Sequence, residues 1–205
     1  LLGGAKPEQA RILAALFSGS QALSEQLQVP PEWLPALEPE KLAHPRHAAG
    51  LGGELRSLLK PFVTAQDYGE AFTQLRRFKL RELCRIAARD LARVADAIEV
   101  TRELSDLADV CLGAALDLCR RPLGGQFGEP YHQDAAELWQ PTRFAVLGLG
   151  KLGGQELNYS SDVDLMFVYT EEGSVFRTPP GGETRSKPGL SNHQFFKRLA
   201  EVFVA

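Results

Sequence analysis

The chain has 205 residues, of which 44% are apolar and 24% charged, and its formal net charge is −3. This length suffices for one domain or two small ones with a buried core. The composition excludes a fully disordered or collagen-like chain. No apolar run approaches the roughly 18–20 residues of a membrane span, which predicts a soluble protein. The near-neutral charge gives no global electrostatic argument for nucleic-acid binding.

Two details of the composition bear on the origin of the chain. Its three cysteines are an odd number without metal-ligand spacing, which is typical of reduced thiols in a cytosolic protein. The only methionine is Met166, and the chain begins at Leu1 without a signal-peptide pattern. We therefore expect a cytoplasmic location and a chain that is a piece of a longer reading frame.

The first part of the sequence is predicted to be helical. Apolar residues recur at helical spacing over residues 8–28, and prolines interrupt residues 30–45. The clearest helical pattern runs from about Asp67 to Ala97. A second runs from about Glu103 to Arg120, with Thr101 as its candidate cap. Because only a short link joins these two helices, we expect them to form an antiparallel pair.

The domain boundary is predicted after residue 121, where Pro122 opens a stretch rich in glycine and proline. This divides the chain into a helical region, 1–121, and a second region, 122–205. Two strands and a final helix are predicted in the second region, over residues 143–148, 162–169 and 192–205. The helix is expected to turn Phe195, Phe196, Leu199 and Val202 inward. Residues 170–191, with several glycines and prolines, are expected to form a mobile loop.

A glycine pattern follows the first predicted strand directly. Gly148, Gly150 and Gly153 have the G-x-G-x-x-G spacing of a dinucleotide-binding turn. The pattern alone is weak evidence, and residues 158–161 are poor material for the end of a packed helix. Dinucleotide binding is therefore a minor alternative.

Two acids, Asp162 and Asp164, open the second predicted strand. Residues two apart in a strand point to the same face, and neighbouring carboxylates repel unless a cation lies between them. Mg²⁺ binds through one or two carboxylates together with substrate phosphates. Val163 and Leu165 are expected to face the core. The alternative is a solvated strand entry in which both acids face water.

These features together resemble a known superfamily. A Gly153-Gly154 pair, a short polar turn and the Asp162-x-Asp164 pair resemble the polymerase-β-like nucleotidyltransferases. The longer string GKLGGQELNYSSDVDL, residues 150–165, closely resembles the signature of glutamine synthetase adenylyltransferases. Those enzymes add AMP to a tyrosine of glutamine synthetase and remove it.

The resemblance extends over roughly Leu75 to Ala205. The Asn158-Tyr159 pair, the sequence FVY at 167–169 and the Ser191-Asn192 pair look more like the N-terminal, adenylyl-removing copy of the two catalytic domains. The implied fold is α/β (α+β) and mostly helical: a helical region packed on a nucleotidyltransferase domain with a small mixed sheet. The implied activity is Mg²⁺-dependent phosphorolysis of the adenylylated tyrosine, giving ADP. The alternatives are the AMP-adding copy, which uses ATP, and a catalytically incomplete regulatory or interaction module.

The resemblance also assigns roles and partners. Asp162 and Asp164 would be the catalytic, metal-binding acids. Nucleotide or phosphate contacts would come from Lys151, Gly153, Gly154, Ser160 and Ser161. The implied partners are glutamine synthetase, a PII signalling protein, ATP or ADP, and phosphate, with neither nucleic acid nor membrane.

One departure from the superfamily pattern concerns a third carboxylate. In this family it lies on a later strand and precedes an Arg-Leu-Arg-Pro run, which the chain does not contain. The metal site is therefore expected to be incomplete, and the chain alone to be inactive or nearly so.

Five arginines recur at i+4 spacing on the clearest helix: Arg77, Arg81, Arg85, Arg89 and Arg93. Residues four apart are neighbours on a helix surface, so the series predicts a basic stripe. A solvated helix face is the favoured interpretation. The alternative is a surface for nucleotide phosphates or an acidic partner.

Overall fold

The computed structural model describes residues 7–19, 31–181 and 188–205. Its helices are α1 (Pro7–Gly19), a 3-10 helix (Pro31–Leu37), α2 (Pro39–Leu42), α3 (Ala48–Thr64), α4 (Tyr68–Leu91), α5 (Ala97–Phe127), α6 (Gly150–Gly153) and α7 (Asn192–Val204). Its strands are β1 (Glu129–Gln133), β2 (Trp139–Pro141), β3 (Phe144–Gly148), β4 (Leu165–Tyr169) and β5 (Ser174–Phe176). Within these ranges, no helix is both long and apolar enough to cross a membrane.

The predicted class, mostly helical α+β, is confirmed. The described strands form two small sheets, one with the order β2-β1-β5 and one with the pair β3-β4. Every pairing is antiparallel, whereas a mixed sheet was expected. The antiparallel β3-β4 pair also rules out the dinucleotide-binding alternative, since that fold needs parallel strands joined by a crossover helix. The only helix between these two strands is α6, which has four residues.

The chain divides into two compact units. Of the described residues, the first contains 7–19, 31–114 and 151–162, and the second contains 115–150, 163–181 and 188–205. The division of the sequence into domains at residue 121 stays a prediction.

One apolar core cluster of the first unit lies among α1, the 3-10 helix, α2 and α4. Ile12, Leu13 and Leu16, which the sequence placed on one helix face, are buried there together with Leu37 and Leu42. Residues 20–28, the rest of the first predicted helix, lie outside the described residues. Helix α4 begins where predicted, because the Asp67 carboxylate accepts a hydrogen bond from the Glu70 N–H at 3.0 Å.

Helix α5 is longer than predicted at both ends. The Asp96 carboxylate accepts from the Glu99 N–H at 2.8 Å and caps the helix start. Thr101, the predicted cap, lies inside the helix, and its hydroxyl donates to the Ile98 carbonyl oxygen. The helix also runs through Pro122 to Phe127. A proline removes one N–H and strains the turn before it, which bends a helix without always ending it.

The core of the second unit lies under α7. Ser191 and Gln194 form a capping box at its start, and Phe195, Phe196 and Leu199 are buried as predicted. Val202, which was also expected to face inward, is 51% exposed, so that part of the prediction is wrong.

Helix α7 packs on one face of the β3-β4 pair. The Phe196 ring stacks on Phe144 of β3 and Tyr169 of β4, at centroid distances of 4.8 and 5.0 Å. On the opposite face, Leu147, Met166 and Val168 are exposed. The pair therefore buries only one of its two faces within the described structure.

Part of the predicted mobile loop is a strand. Residues 174–176 form β5, which pairs with β1, and Val175 is fully buried. The expectation of a mobile loop is therefore wrong for these residues. A three-residue strand shows no alternation that a sequence pattern could reveal. Residues 182–187 lie outside the described residues.

Candidate functional site

The segment that carries the family resemblance, residues 150–165, is called the signature segment below. It follows β3 and leads into β4, and the β3-β4 register ends with Gly148 opposite Leu165. One further backbone contact extends the pairing, because the Leu149 N–H donates to the Asp164 carbonyl oxygen at 2.9 Å. The antiparallel pair thus brings the beginning and the end of the signature segment together.

Asp162 and Asp164 lie in the stretch just before β4 and not within the strand. Both are exposed, and so is Val163, at 37%. The expectation that Val163 faces the core is therefore wrong. The reason lies in the partner strand. Because β3 ends at Gly148 and the chain then turns into α6, residues 162–163 have no partner strand to pair with. The alternation argument for a shared face does not apply to this stretch.

Asp164 is held next to a glycine turn. Gly150 has a left-handed backbone (φ +55°), and a Cβ added to it would lie 3.5 Å from the Asp164 Oδ2. A side chain at this position would be strained by the backbone angle, which glycine adopts freely. The turn thus sets the Asp164 carboxylate against the backbone at the start of α6.

The predicted phosphate-binding residues lie on α6 and the turn after it. Lys151, Gly153 and Gly154 are all exposed. Gln155 follows with a left-handed backbone (φ +57°), an uncommon conformation for a residue other than glycine. The Gln155 N–H donates to the Leu152 carbonyl oxygen at 3.0 Å, which closes the turn.

Ser160 and Ser161 belong to a turn that Asn158 organises. The Asn158 Oδ1 accepts from the Ser161 hydroxyl at 2.6 Å and from the Ser160 N–H at 3.2 Å. The Ser161 Oγ also accepts from the Asn158 N–H at 3.2 Å. The Ser161 hydroxyl therefore supports the turn locally. Ser160 is exposed.

The seven predicted site residues share one stretch of chain but not one compact unit. Residues 151–162, which contain six of them, pack with the helical unit, whereas Asp164 belongs to the unit of β3, β4 and α7. Neither Asp162 nor Asp164 has an ion-pair partner among the described residues. Within the same ranges, no three His, Cys, Asp or Glu side chains are grouped so as to hold a metal ion.

Three residues that no sequence pattern singles out act on the signature segment: Asp90, Ser105 and Asp109. Ser105 and Asp109 lie on α5 and bond to Leu157 and Gln155. Asp90 lies on α4 and acts on the Tyr159 hydroxyl. Burial raises the pKa of Tyr159, and the charge and hydrogen bond of Asp90 add to this. No sequence signal marks these three, because each contact joins residues more than 40 positions apart in the chain.

The centre of the arginine series, Arg85 and Arg89, is buried, so it forms neither a solvated stripe nor a surface for phosphates. Arg85 and Arg89 are 2% and 1% exposed. Arg85 donates to the Glu82 carboxylate at 2.8 Å and to the Glu103 carboxylate at 2.6 Å, and Arg89 pairs with Glu103 as well. Both interpretations of the series are therefore wrong for these two residues, which tie α4 to α5. Arg77, by contrast, is exposed and pairs with Glu32.

A cavity of about 320 Å³ lies beside the signature segment. Its lining consists of Pro45, His47, Glu99, Arg102, Glu103, Asp106 and Gln155. Gln155 is the only residue of the signature segment in this lining. None of the seven predicted site residues lines the cavity, and all of them except the half-buried Ser161 are exposed.

The family model and the similar proteins all carry the name of a glutamine synthetase (glutamate-ammonia ligase) adenylyltransferase. A family model described as glutamate-ammonia ligase adenylyltransferase matches residues 10–205. A relative named bifunctional glutamine synthetase adenylyltransferase/adenylyl-removing enzyme, from Pseudomonas aeruginosa, is 43% identical over 154 residues, which cover 74% of this chain and 14% of the relative. A protein of the same name from Shewanella loihica is 33% identical over 198 residues, 97% of this chain and 19% of the relative. The chain thus spans less than a fifth of the length of either relative.

Proposed function

The chain belongs to the glutamate-ammonia ligase adenylyltransferase family, and we propose that it is part of the adenylyl-removing region of a bifunctional enzyme acting on glutamine synthetase. In the proposed reaction, AMP passes from a tyrosine of glutamine synthetase to inorganic phosphate, and the product is ADP. The Asn158-Tyr159 and Ser191-Asn192 pairs support the adenylyl-removing copy over the AMP-adding one.

One observation carries this proposal most directly. The signature segment exposes two carboxylates, Asp162 and Asp164, that have no cationic partner among the described residues. The same short segment exposes the Gly153-Gly154 turn and Lys151. Acids, glycines and a lysine on one exposed segment are the residue types that a metal-assisted transfer to phosphate requires.

The donor set fits Mg²⁺. This ion prefers oxygen ligands, and it is usually bound by one or two carboxylates together with substrate phosphates and water. Asp162 and Asp164 would hold it. When bound, Mg²⁺ would neutralise negative charge on the reacting phosphate oxygens.

The reaction exchanges one phosphorus–oxygen bond for another. An oxygen of inorganic phosphate forms a bond to the phosphorus of AMP, while the bond from that phosphorus to the tyrosine oxygen breaks. The tyrosine oxygen takes up a proton. In this proposal the Gly153 and Gly154 backbone would approach the phosphates and Lys151 would add positive charge, while Ser160 and Ser161 would make polar contacts with the nucleotide or with water at the metal site.

The test replaces each acid by its amide. Asp162→Asn and Asp164→Asn keep the size of the side chain and remove its charge, so we expect ADP release from adenylylated glutamine synthetase to fall about 100-fold or more. The measurement uses the full-length enzyme that contains this chain, with saturating phosphate and Mg²⁺. The matched control is Asp117→Asn, which removes an exposed carboxylate of α5 and should leave the rate unchanged. Undiminished ADP release in both test variants would refute the assigned roles.

Assays with different substrates distinguish the proposed phosphorolysis from two other functions. The relatives' name includes an adenylyltransferase, and the AMP-adding copy would modify unmodified glutamine synthetase with ATP and need no phosphate. A catalytically incomplete module would do neither and would bind Mg²⁺-nucleotide weakly. A PII signalling protein as partner and a cytoplasmic location are part of the proposal on the sequence resemblance.

A further inference from the structure

The signature segment is fixed to the helical unit by a serine of α5. Ser105 is fully buried. Its hydroxyl donates to the Thr101 carbonyl oxygen at 2.8 Å, one turn earlier in its own helix. A hydroxyl has one donor and two acceptor positions, so this bond leaves the oxygen free to accept. The oxygen accepts from the Leu157 N–H at 3.1 Å.

Loss of the hydrogen bond between the Leu157 N–H and Ser105 is expected to be destabilising. Leu157 is 7% exposed and Leu152 2%, so both leucines anchor the segment in the unit. With Leu157 in place, its N–H is shielded from water and depends on the Ser105 oxygen. Leaving a buried N–H without a partner costs more free energy than an average hydrogen bond contributes to stability.

Two further contacts lie on either side of this anchor. The Gln155 Nε2 donates to the Asp109 carboxylate at 3.2 Å, one helical turn beyond Ser105 on α5. On the other side, burial and Asp90 of α4 raise the pKa of the Tyr159 hydroxyl. Alternate residues of the segment, 155 and 157, are thus each held by a different polar side chain of α5.

The glycine turn lies immediately before the first of these contacts. The left-handed conformation of Gln155 is maintained by hydrogen bonds from its N–H to Leu152 and from its side chain to Asp109. A conformation that is sparsely populated in a free chain persists only where its surroundings hold it. Since Gly154 precedes Gln155 directly, whatever holds Gln155 and Leu157 also sets the direction of the Gly153 and Gly154 backbone.

We infer that Ser105 is a positioning residue which, with Asp109, holds the glycine turn of the signature segment in the orientation that meets phosphate. That the ligand is phosphate rests on the proposed function, whereas the contacts of Ser105 and Asp109 with the segment do not depend on it. Ser105 touches no substrate. It acts through the Leu157 N–H and the turn that precedes it.

The first arm of the test needs no catalysis. In the 205-residue chain, Ser105→Ala removes the partner of the Leu157 N–H, and we expect amide hydrogen exchange at Leu157 to become about tenfold faster or more. The matched control is Ser57→Ala, since the Ser57 hydroxyl also donates to a carbonyl one turn earlier, that of Gly53, on an exposed part of α3. Ser57→Ala should leave exchange at Leu157 unchanged.

A second pair of variants covers the case in which Ser105→Ala fails to fold. Asp109→Ala removes the exposed contact to Gln155, whereas Asp109→Asn keeps a side-chain oxygen that accepts from the Gln155 amide. Exchange at Gln155 and Glu156 should accelerate in Asp109→Ala and return toward the original rate in Asp109→Asn. Equal rates in the two Asp109 variants would count against positioning by Asp109.

The second arm measures phosphorolysis in the full-length enzyme. For Ser105→Ala we expect kcat/KM for phosphate to fall about tenfold while KM for adenylylated glutamine synthetase stays the same, because the protein substrate is not bound by the glycine turn. Unchanged exchange at Leu157, or accelerated exchange with unchanged phosphate kinetics, would overturn the inference. If the unsubstituted enzyme shows no phosphorolysis, the proposed function fails, and the exchange arm still decides whether Ser105 holds the segment.

Discussion

Arg85 and Arg89 show how one residue pattern can fit opposite environments. Their i+4 spacing suits a solvated stripe, yet both are buried and share the Glu103 carboxylate. The sequence contains no sign of this, because Glu103 lies on the next helix and its pairing depends on how α4 and α5 pack. Arg46 joins the same group, and its backbone N–H donates to Glu103 at 2.9 Å.

Glu103→Ala should therefore be strongly destabilising. The substitution leaves two buried guanidinium groups without their shared partner, and breaking a buried pair in this way costs about 3–5 kcal/mol. The control is Glu32→Ala, which removes an exposed pair with Arg77 and should change stability by about 0–1 kcal/mol. Urea unfolding followed by far-ultraviolet circular dichroism measures both. Equal midpoints for the two variants would contradict the role given to Glu103.

At the scale of the elements, patterning predicted β3, the body of β4 and helix α7. It also placed Asp162 and Asp164 on the strand and Val202 on the inner face of α7. In the structure both acids precede the strand, and Val202 is exposed. The start of β4 depends on where its partner β3 turns away, which a single segment cannot reveal. Phe203 is half-buried and its ring packs edge-on against Phe167 at a centroid distance of 5.9 Å, whereas Val202 and Val204 on either side of it are exposed.

The Phe196 ring of α7 stacks on Phe144 of β3 and on Tyr169 of β4. Phe196→Ala removes a fully packed ring, and we expect a loss of about 3–5 kcal/mol in the free energy of unfolding of this unit. Near-ultraviolet circular dichroism during urea unfolding follows these aromatic residues directly. Val202→Ala on the exposed side of the same helix should cost less than about 0.5 kcal/mol. A Phe196→Ala variant as stable as Val202→Ala would contradict this packing.

At the scale of the whole molecule, the resemblance in residues 150–165 identified the family, which the comparisons confirm. The same sequence did not show that residues 151–162 pack with the helical unit while Asp164 belongs to the other. That arrangement depends on contacts such as Ser105 to Leu157 and Asp109 to Gln155, which join positions far apart in the chain. Motifs identify the chemistry that a segment is suited to. The side chains that hold the segment in place follow from packing alone.

We propose above that the signature segment serves the transfer of AMP from glutamine synthetase to inorganic phosphate. The most direct measurement incubates adenylylated glutamine synthetase with the full-length enzyme, Mg²⁺ and ³²P-labelled phosphate, and follows the label. Phosphorolysis places the label in the β-phosphate of ADP, at a rate that depends on phosphate and is lost in Asp164→Asn. Release of unlabelled AMP, or no release of nucleotide while ATP still supports adenylylation, would contradict the proposed phosphorolysis.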